Sequence, residues 1–313
     1  MTKVLVTGGA GFIGSNLVDG LLKEGYEVRV LDNFSTGRRE NIAHCLKDIE
    51  LVEGDIRDQE IVEDAVAGID MILHEAALPS VPRSIKAPVT TNDVNVGGTL
   101  KLLSSAHKAG VRRIIQASSS SVYGNTVELP KHEGMMPKPM SPYAVTKLTG
   151  ELYLKVFADL YGMETLAIRY FNVFGPRQDP TSQYSGVIAK FMTAAATDAK
   201  YTVNGDGSQA RDFTYIDNVV RGNLLALKAP ELKGDVINVA CGGKFSLLDL
   251  IDAINKAADV DLPVEFAPNR AGDVKYSMAA IEKAKELIGY EPIVDFEEGI
   301  KRTYEWYLSN AHC

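Results

Sequence analysis

The sequence predicts an α/β protein in which helices cover both faces of a doubly wound parallel sheet, followed by a smaller α/β lobe. Three observations predict this fold class. A glycine-rich turn follows the first apolar segment, short apolar strands then alternate with helices, and polar residues cluster where the strands end. With 313 residues, the chain is long enough for one large domain or two fused domains with a full core.

The first elements have the order of a dinucleotide site. A short buried strand is predicted over Lys3–Thr7, a glycine-rich loop over Gly8–Gly14, a helix over 15–23 and a second strand over 27–31. Glycines in such a loop let the backbone approach a pyrophosphate at the N-terminus of the helix. A lone Gly-x-Gly-x-x-Gly pattern is weak evidence, but this order makes a mere tight turn the weaker interpretation. We therefore expect a Rossmann-type domain.

Asp32 ends the second strand, and its charge indicates which dinucleotide binds. It follows Gly14 by 18 positions, close to the spacing of about 20 at which an acidic residue holds the adenosine ribose hydroxyls. A carboxylate there repels a 2′-phosphate, so NAD is favoured, although Arg38 and Arg39 nearby leave NADP open.

The alternation of strands and helices continues and predicts a parallel sheet. Strands are expected over 49–53, 70–73, 113–117 and 164–169, and helices over 59–67, 89–109 and 143–161. Ligands of such folds sit beyond the carboxyl ends of the strands. The glycine loop, Asp32, Asp55, Ala76-Ala77 and the serines from Ser118 to Ser121 all fall there.

The serine run and the Tyr143–Lys147 pair are the candidate catalytic groups. Ser141 and Pro142 predict a helix beginning at Tyr143, which places Lys147 one turn away on the same face. A lysine ammonium about 4 Å from a phenol favours the phenolate, so we expect a lowered pKa for Tyr143 and proton transfer from an alcohol. The alternative is an aromatic ring packed on a lysine stem, which the serines and the glycine loop make weaker.

From Asn172 onward the composition changes and predicts a loop, then a smaller lobe interleaved with the last strands of the sheet. We expect residues 1–171 to form the NAD-binding domain and residues 172–313 the substrate lobe. Arg211 and Arg270 lie in this lobe and suit phosphate oxygens, although a surface ion pair is the alternative for each. Helices are predicted from 187 and over 217–228, 246–258, 278–287 and 296–308, and strands over 201–203 and 236–239.

Composition limits the partners. The formal net charge of −8 argues against a nucleic-acid partner. No apolar run is long enough to span a bilayer, and the first residues have no signal-peptide pattern. The three cysteines and five histidines are too scattered for a disulfide framework or a metal motif. We expect a cytoplasmic protein without a metal site.

These residues make the chain similar to a known family. It resembles the extended short-chain dehydrogenase/reductases, and within them the nucleotide-sugar epimerases, over essentially its full length. The set of motifs in this order is specific for the family. The matching motifs are Thr7–Gly14, Asp32-Asn33, Asp55-Ile56, His74 with Ala76-Ala77, Asn95–Thr99, the serines with Val122-Tyr123-Gly124, Tyr143-x-x-x-Lys147, Arg169–Asn172, Arg211-Asp212 and Arg270-x-Gly272-Asp273.

The resemblance implies epimerisation through a transient 4-keto sugar, with NAD tightly bound and recycled. Tyr143 would take the proton of the sugar C4 hydroxyl while hydride leaves C4 for NAD. Lys147 would lower the pKa of Tyr143 and bind the nicotinamide ribose, and Ser119 would hydrogen-bond the C4 oxygen. The implied cofactor residues are Gly8, Gly11, Phe12, Ile13, Gly14, Asp32, Asn33, Phe34, Thr36, Gly37, Asp55, Ile56, Ala76, Ala77, Asn95, Ser118, Tyr143, Lys147 and Tyr170.

The resemblance also implies a UDP-sugar substrate and a homodimer. Family members usually dimerise through two long helices of each subunit, here those around 89–109 and 143–161. The implied substrate residues are Ser80, Ser119, Ser120, Ser121, Tyr143, Asn172, Gly186, Val187, Lys190, Asn204, Gln209, Arg211, Arg270, Asp273 and Ser277.

The serine run narrows the reaction within the family. Related 4,6-dehydratases carry an Asp-Glu pair, and decarboxylases a Glu, where this chain has Ser119–Ser121, so 4-epimerisation is favoured. Ser277 is small enough to leave room for an acetamido group, whereas Pro79 and Glu75 depart from the pattern of the N-acetyl-specific group. UDP-GlcNAc/UDP-GalNAc and UDP-glucose/UDP-galactose therefore both stay open. UDP-glucuronate epimerisation and a non-catalytic NAD sensor are the further alternatives.

Overall fold

The computed structural model describes residues 1–179, 187–268 and 276–310. Its central feature is a seven-stranded sheet in the order β11-β6-β5-β4-β1-β2-β3, and every pair in it is parallel. The predicted α/β fold class is confirmed. The strands of this sheet are β1 Lys3–Thr7, β2 Glu27–Asp32, β3 Ile49–Glu53, β4 Met71–His74, β5 Arg113–Ser119, β6 Glu164–Tyr170 and β11 Asp235–Val239.

Helices lie on both faces of this sheet because the strands alternate their apolar side chains between two cores. Val4 and Val6 of β1 point into one core, whereas Leu5 points into the other, and all three are fully buried. The helices of the described residues are α1 Phe12–Lys23, α2 Gln59–Val66, α3 Val81–Lys86, α4 Pro88–Asn92, α5 Thr99–Lys108, α6 Pro142–Tyr161, α7 Val187–Ala196, α8 Ile216–Lys228, α9 Leu247–Ala258, α10 Glu282–Ile288 and α11 Phe296–Asn310.

The order of strands creates a crevice beside β1. From β1 the chain builds outward through β2 and β3 on one side and through β4, β5 and β6 on the other. Loops after β1 and β4 therefore diverge, and a ligand can enter between them at the carboxyl ends of the strands.

Helix α6 carries the predicted catalytic pair and begins as the sequence indicated. The Ser141 hydroxyl accepts the N–H of Ala144 at 3.2 Å, and Pro142 occupies the first turn. Gly162 ends the helix in the left-handed conformation, with φ of 68°. The helix predicted over 143–161 is thus confirmed.

Two predicted helices differ from the structure. The segment predicted as one helix over 89–109 is divided into α4, a π-helical turn over Asp93–Gly98, and α5. The helix predicted over 278–287 is shorter, because Tyr276–Ser277 forms strand β14 and α10 begins only at Glu282.

The remaining strands form small sheets in the C-terminal half. Asp212 fixes this region, because its buried carboxylate accepts the backbone N–H groups of Cys241, Gly242 and Ala279 at 3.0, 3.0 and 3.1 Å. The pairs are β7 Val173–Phe174 with β10 Thr214–Tyr215, β8 Tyr201–Asn204 with β13 Val264–Ala267, and β9 Ala210–Arg211 between β12 Phe245–Ser246 and β14.

Residues after 171 also return to the central sheet, since β11 pairs with β6 along its whole length. The division into 1–171 and 172–313 stays a prediction. Among the helices of the described ranges, none combines the length and the apolar character needed to cross a membrane.

Candidate active site

A cavity of about 920 Å³ opens at the carboxyl ends of the parallel strands. This volume lies at the upper end of the range of roughly 300–1,000 Å³ that is common for ligand sites. The glycine loop and Asp32 line one end, which we call the nucleotide end. Tyr143, Lys147 and Tyr170 line the other, which we call the reactive end.

The glycine loop fits a dinucleotide because side chains are excluded from it. Gly8 has a φ of +69°, and a Cβ atom there would lie 2.8 Å from the backbone nitrogen of Ala76. A Cβ atom at Gly14 would lie 2.1 Å from the carbonyl oxygen of Gly8. Any larger residue would therefore displace the backbone, and with it the N-terminus of α1 that would face the pyrophosphate.

Asp32 is held rigidly at the nucleotide end. Its carboxylate accepts the N–H of Ala10 at 2.9 Å and the N–H of Phe34 at 2.8 Å, and the residue is only 7% exposed. Burial raises the pKa of Asp32, whereas the two backbone hydrogen bonds lower it. A fixed carboxylate facing the cavity suits the hydroxyls of an adenosine ribose.

The two arginines that left NADP open each have an acidic partner. Arg38 pairs with Asp179 at 2.8 Å, and Arg39 pairs with Glu53. Beside them, the Arg57 guanidinium lowers the pKa of Asp55 to about 2, so this carboxylate is ionised at neutral pH. Both observations favour a cofactor without a 2′-phosphate.

Lys147 does not act on Tyr143 as the sequence predicted. Its ammonium donates to the Ala117 carbonyl at 2.8 Å and lies 5.9 Å from the centre of the Tyr143 ring. Burial raises the pKa of Tyr143 to about 12, Ser119 lowers it by hydrogen bonding, and Glu75 adds a further increase. Burial also lowers the pKa of Lys147 to about 8. The expected decrease in the phenol pKa is therefore wrong for the arrangement of these residues alone, because burial raises this pKa and the Lys147 ammonium is bound to the Ala117 carbonyl.

The serine run places one hydroxyl against Tyr143 and another in a structural network. Ser119 hydrogen-bonds Tyr143 and accepts the N–H of Ser121 at 3.1 Å. Ser121 has a buried hydroxyl for which the described residues offer no partner. The Ser118 hydroxyl, in contrast, donates to the Glu151 carboxylate at 2.5 Å, although Ser118 is also one of the residues that line the cavity.

Glu151 in turn forms a buried ion pair with Arg169 of β6. Two hydrogen bonds of 2.8 and 2.7 Å join them, and both side chains are almost completely buried. This pair joins α6, which carries Tyr143, to strand β6 of the sheet.

Glu75 belongs to the reactive end, although sequence reasoning gave it no role. It directly follows β4 and lines the cavity, and the Tyr170 hydroxyl donates to it at 2.8 Å. Burial raises the pKa of Glu75 to about 7. The signal that could have found it is a carboxylate at the end of a strand that is otherwise apolar.

Most of the implied cofactor residues line this one cavity. Asn95 does not, since its amide bonds the backbone of Leu78 and the Thr146 hydroxyl instead. Phe34 does not line it either, and Arg39 stacks on its ring at 4.1 Å. Those that do are Gly8, Gly11, Phe12, Ile13, Gly14, Asp32, Asn33, Thr36, Gly37, Asp55, Ile56, Ala76, Ala77, Ser118, Tyr143, Lys147 and Tyr170.

The implied substrate residues are more dispersed. Ser80 lines the cavity, whereas the Asn172 amide is occupied by the carbonyl of Asp212 at 2.9 Å. The backbone of Arg211 in β9 pairs with the backbone of Ser277 in β14. The side-chain amide of Gln209 donates to the carbonyl of Asn204. Val187 begins α7, and Lys190 is exposed on it. Gly186, Arg270 and Asp273 lie outside the described residues.

Comparisons with known proteins agree with this site. The model of the NAD dependent epimerase/dehydratase family matches residues 4–240. The chain belongs to this family. The predicted resemblance to nucleotide-sugar epimerases is confirmed, and with it the prediction of an NAD-dependent isomerase.

The relatives extend over nearly the whole chain. A putative UDP-glucose 4-epimerase of Methanocaldococcus jannaschii is 38% identical over 309 residues, which are 98% of this chain and 99% of the relative. A UDP-glucose 4-epimerase of Thermotoga maritima, solved with UDP-glucose, has a TM-score of 0.94 at 37% identity and covers 99% of this chain and 100% of its own. A UDP-N-acetylglucosamine 4-epimerase of Methanobrevibacter ruminantium M1, solved with UDP-N-acetylmuramic acid, has the same score and identity and covers 99% of each chain.

Proposed function

We propose that this protein is a UDP-hexose 4-epimerase that keeps NAD bound and uses Tyr143 to move the proton at the sugar C4 oxygen. The observation that carries the proposal is one continuous cavity with the glycine loop and Asp32 at one end and Tyr143 and Lys147 at the other. The family membership supports the cofactor, and the named relatives support a UDP-sugar.

The cavity residues have two roles, binding of NAD and proton transfer at the C4 oxygen. NAD, when bound, supplies a hydride acceptor and a positively charged ring. Tyr143 takes the C4 hydroxyl proton as C4 is oxidised and returns it to the oxygen when C4 is reduced. Ser119 bonds the phenol and orients the same oxygen, and Lys147, whose pKa is about 8, keeps most of its positive charge at neutral pH.

The loop after β5 favours epimerisation over elimination. Ser119, Ser120 and Ser121 offer hydroxyls there, and none of them can act as the carboxylic acid that dehydration at C5 and C6 requires. Epimerisation needs a reversible proton carrier at the C4 oxygen and the hydride acceptor that bound NAD would supply, but no acid at C5 or C6.

Both pairs of sugars are proposed substrates. Ser277 is buried, and its backbone in β14 pairs with that of Arg211 in β9. The family resemblance implies that a small residue at this position admits an acetamido group. UDP-GlcNAc/UDP-GalNAc and UDP-glucose/UDP-galactose should both react.

Product analysis tests this function. The protein is incubated separately with UDP-glucose, UDP-GlcNAc and UDP-glucuronate, and NMR reports inversion at C4, a 4-keto-6-deoxy sugar or decarboxylation. Inversion of a neutral hexose confirms the proposal. Elimination or CO₂ release supports the other family reactions, and no reaction by folded, NAD-loaded protein refutes an enzymatic role.

We also propose a homodimer in the cytoplasm. One face of α6 carries an apolar stripe of Val145, Leu152, Val156 and Leu160, which are 44–70% exposed. Helix α4, which packs beside α6, adds Val89 at 81% exposure. Apolar groups concentrated on one face are typical of a protein interface. Sedimentation at micromolar concentration should give a dimer, and Leu152→Glu should give a folded monomer.

A further inference from the structure

Glu75 is a carboxyl group at the reactive end that the proposed reaction does not use. Its side chain is partly buried and lines the cavity. Its backbone N–H donates to the Thr7 carbonyl at 3.1 Å, which fixes the residue beside the glycine loop.

The neighbours of Glu75 are arranged to donate to it. The amide nitrogen of Asn223 donates to the Tyr170 hydroxyl at 2.9 Å, and that hydroxyl has two acceptors within reach, Glu75 at 2.8 Å and the Asn223 side-chain oxygen at 3.2 Å, of which Glu75 is the nearer. A hydroxyl held in this direction stabilises the ionised carboxylate more than the neutral acid.

The titratable and polar groups near Glu75 belong to four elements, namely α6, β6, α8 and β4. Lys147 of α6 is the attractive one, and Tyr143 of α6 and Tyr170 of β6 are neutral phenols whose pKa values Glu75 raises. Asn223 of α8 carries no charge. His74 of β4, bonded to two threonine hydroxyls, has a pKa lowered to about 3 and is neutral.

Near neutral pH, the ionised and the protonated form of the Glu75 carboxyl group are therefore close in free energy. Burial raises its pKa to about 7, while Tyr170 and Lys147 act in the opposite direction. A further positive charge at the reactive end would favour the ionised form, and an uncharged occupant would favour the protonated form.

We propose that Glu75 makes this cavity select the oxidation state of its cofactor, because its carboxylate binds NAD⁺, with its positively charged ring, in preference to NADH. The inference rests on the proposed function, since it takes the Tyr143 end as the place of the reacting ring. An epimerase must finish each cycle with NAD⁺, so a preference for that form keeps the protein from being trapped with NADH.

Competition between the two nucleotides tests the proposal without any sugar. The purified protein is incubated with a large excess of NAD⁺ and NADH in equal amounts until its resident nucleotide has exchanged to a constant ratio, and it is then passed through a desalting column. The nucleotides released from the protein are quantified by chromatography with detection at 260 and 340 nm. The measured quantity is the ratio of bound NAD⁺ to bound NADH.

Two isosteric variants separate the ends of the cavity. Glu75→Gln keeps an oxygen for Tyr170 but removes the charge, and we expect the ratio to fall about tenfold, as for loss of one moderate charge–charge interaction. Asp32→Asn removes the carboxylate at the nucleotide end, where NAD⁺ and NADH are identical. It should lower the total amount bound and leave the ratio unchanged.

The pH dependence provides a second readout. Because ionised Glu75 is the form that prefers NAD⁺, the wild-type ratio should rise between about pH 6 and about pH 8, on either side of a pKa of about 7. Glu75→Gln should lose the rise centred near pH 7 and keep only the rise that loss of the Lys147 charge produces near pH 8. Tyr170→Phe removes a hydrogen bond that lowers the pKa of Glu75, so its midpoint should move to higher pH. This variant retains the carboxylate and serves if Glu75→Gln fails to fold.

Each outcome has a distinct meaning. Equal ratios in wild type and Glu75→Gln across the pH range overturn the inference and leave the 4-epimerase proposal intact, provided that C4 inversion is observed. If the wild type binds neither nucleotide, the cofactor assignment fails and the inference falls with it. A charge-dependent, pH-dependent ratio that Asp32→Asn does not change confirms the inference.

Discussion

The two ends of the cavity each hold a carboxylate, but the structure treats them differently. Asp32 is fixed by two backbone N–H groups within a tight loop, at 2.9 and 2.8 Å. Glu75 accepts one hydrogen bond, from the Tyr170 hydroxyl, and the nearby ammonium of Lys147 attracts its carboxylate. Burial nevertheless raises its pKa to about 7.

The difference shows how a site separates recognition from chemistry. Backbone donors hold a charge that stays constant, which suits ribose hydroxyls that never change. Side-chain partners leave a group able to titrate, which suits the end where the ligand changes its charge. The following predictions test this contrast, from the largest expected effect to the smallest.

Tyr143→Phe should act on the reactive end alone. It removes the phenol hydroxyl that Ser119 bonds, so turnover should fall by about 10²–10⁴, the range for loss of a general acid–base group. NAD should remain bound, because the nucleotide end is unchanged. C4 inversion by NMR and the nucleotide content of the purified variant measure the two effects. Loss of NAD together with activity would contradict the separation of the two ends.

Gly14→Ala should break the nucleotide end. Its Cβ atom would lie 2.1 Å from the Gly8 carbonyl oxygen, a backbone atom that cannot move without distorting the loop. We expect loss of bound NAD and a decrease in stability of about 1–3 kcal/mol. The control is Gly97→Ala, where the nearest atom, an Asp93 carboxylate oxygen, would be 3.5 Å away. Thermal unfolding and nucleotide content should be near normal in the control, and equal effects in both variants would refute the steric argument.

Asp32→Asn should weaken NAD binding about tenfold and reduce the discrimination against NADP, because it removes the charge that repels a 2′-phosphate. Titrations with NAD and NADP, compared with the wild type, measure both changes. Unchanged discrimination would mean that Asp179 and Glu53, which hold Arg38 and Arg39, set the preference instead.

Glu75→Gln should slightly stabilise the cofactor-free protein at alkaline pH. In the unfolded chain this carboxyl has a pKa of 4.5, and in the folded protein about 7. Between these values the folded protein binds a proton that the unfolded chain has released, so stability decreases as the pH rises, and the loss is complete above about 7. The variant lacks this loss. Its unfolding temperature should exceed that of the wild type at pH 8 by a few degrees and match it below pH 4.5. A constant difference at every pH would exclude titration of Glu75 as the cause.

The sequence by itself determined the features that depend on neighbouring residues. The glycine loop, Asp32 at the end of β2 and the helix that carries Tyr143 and Lys147 on one face were all predicted, and the structure has each element. These features follow from backbone sterics, helix periodicity and strand–helix alternation, which act over a few residues and are readable in the chain.

Only the tertiary structure decided the electrostatics of the reactive end. Lys147 is held by Ala117 of β5, and Glu75 meets Tyr170 across 95 positions of the chain. The lysine effect on Tyr143 was mispredicted because a pKa depends on burial and on charges from distant segments, which helix spacing does not reveal. Glu75 was missed for the same reason. A carboxyl group after a strand acquires a pKa near neutrality only when the folded protein buries it.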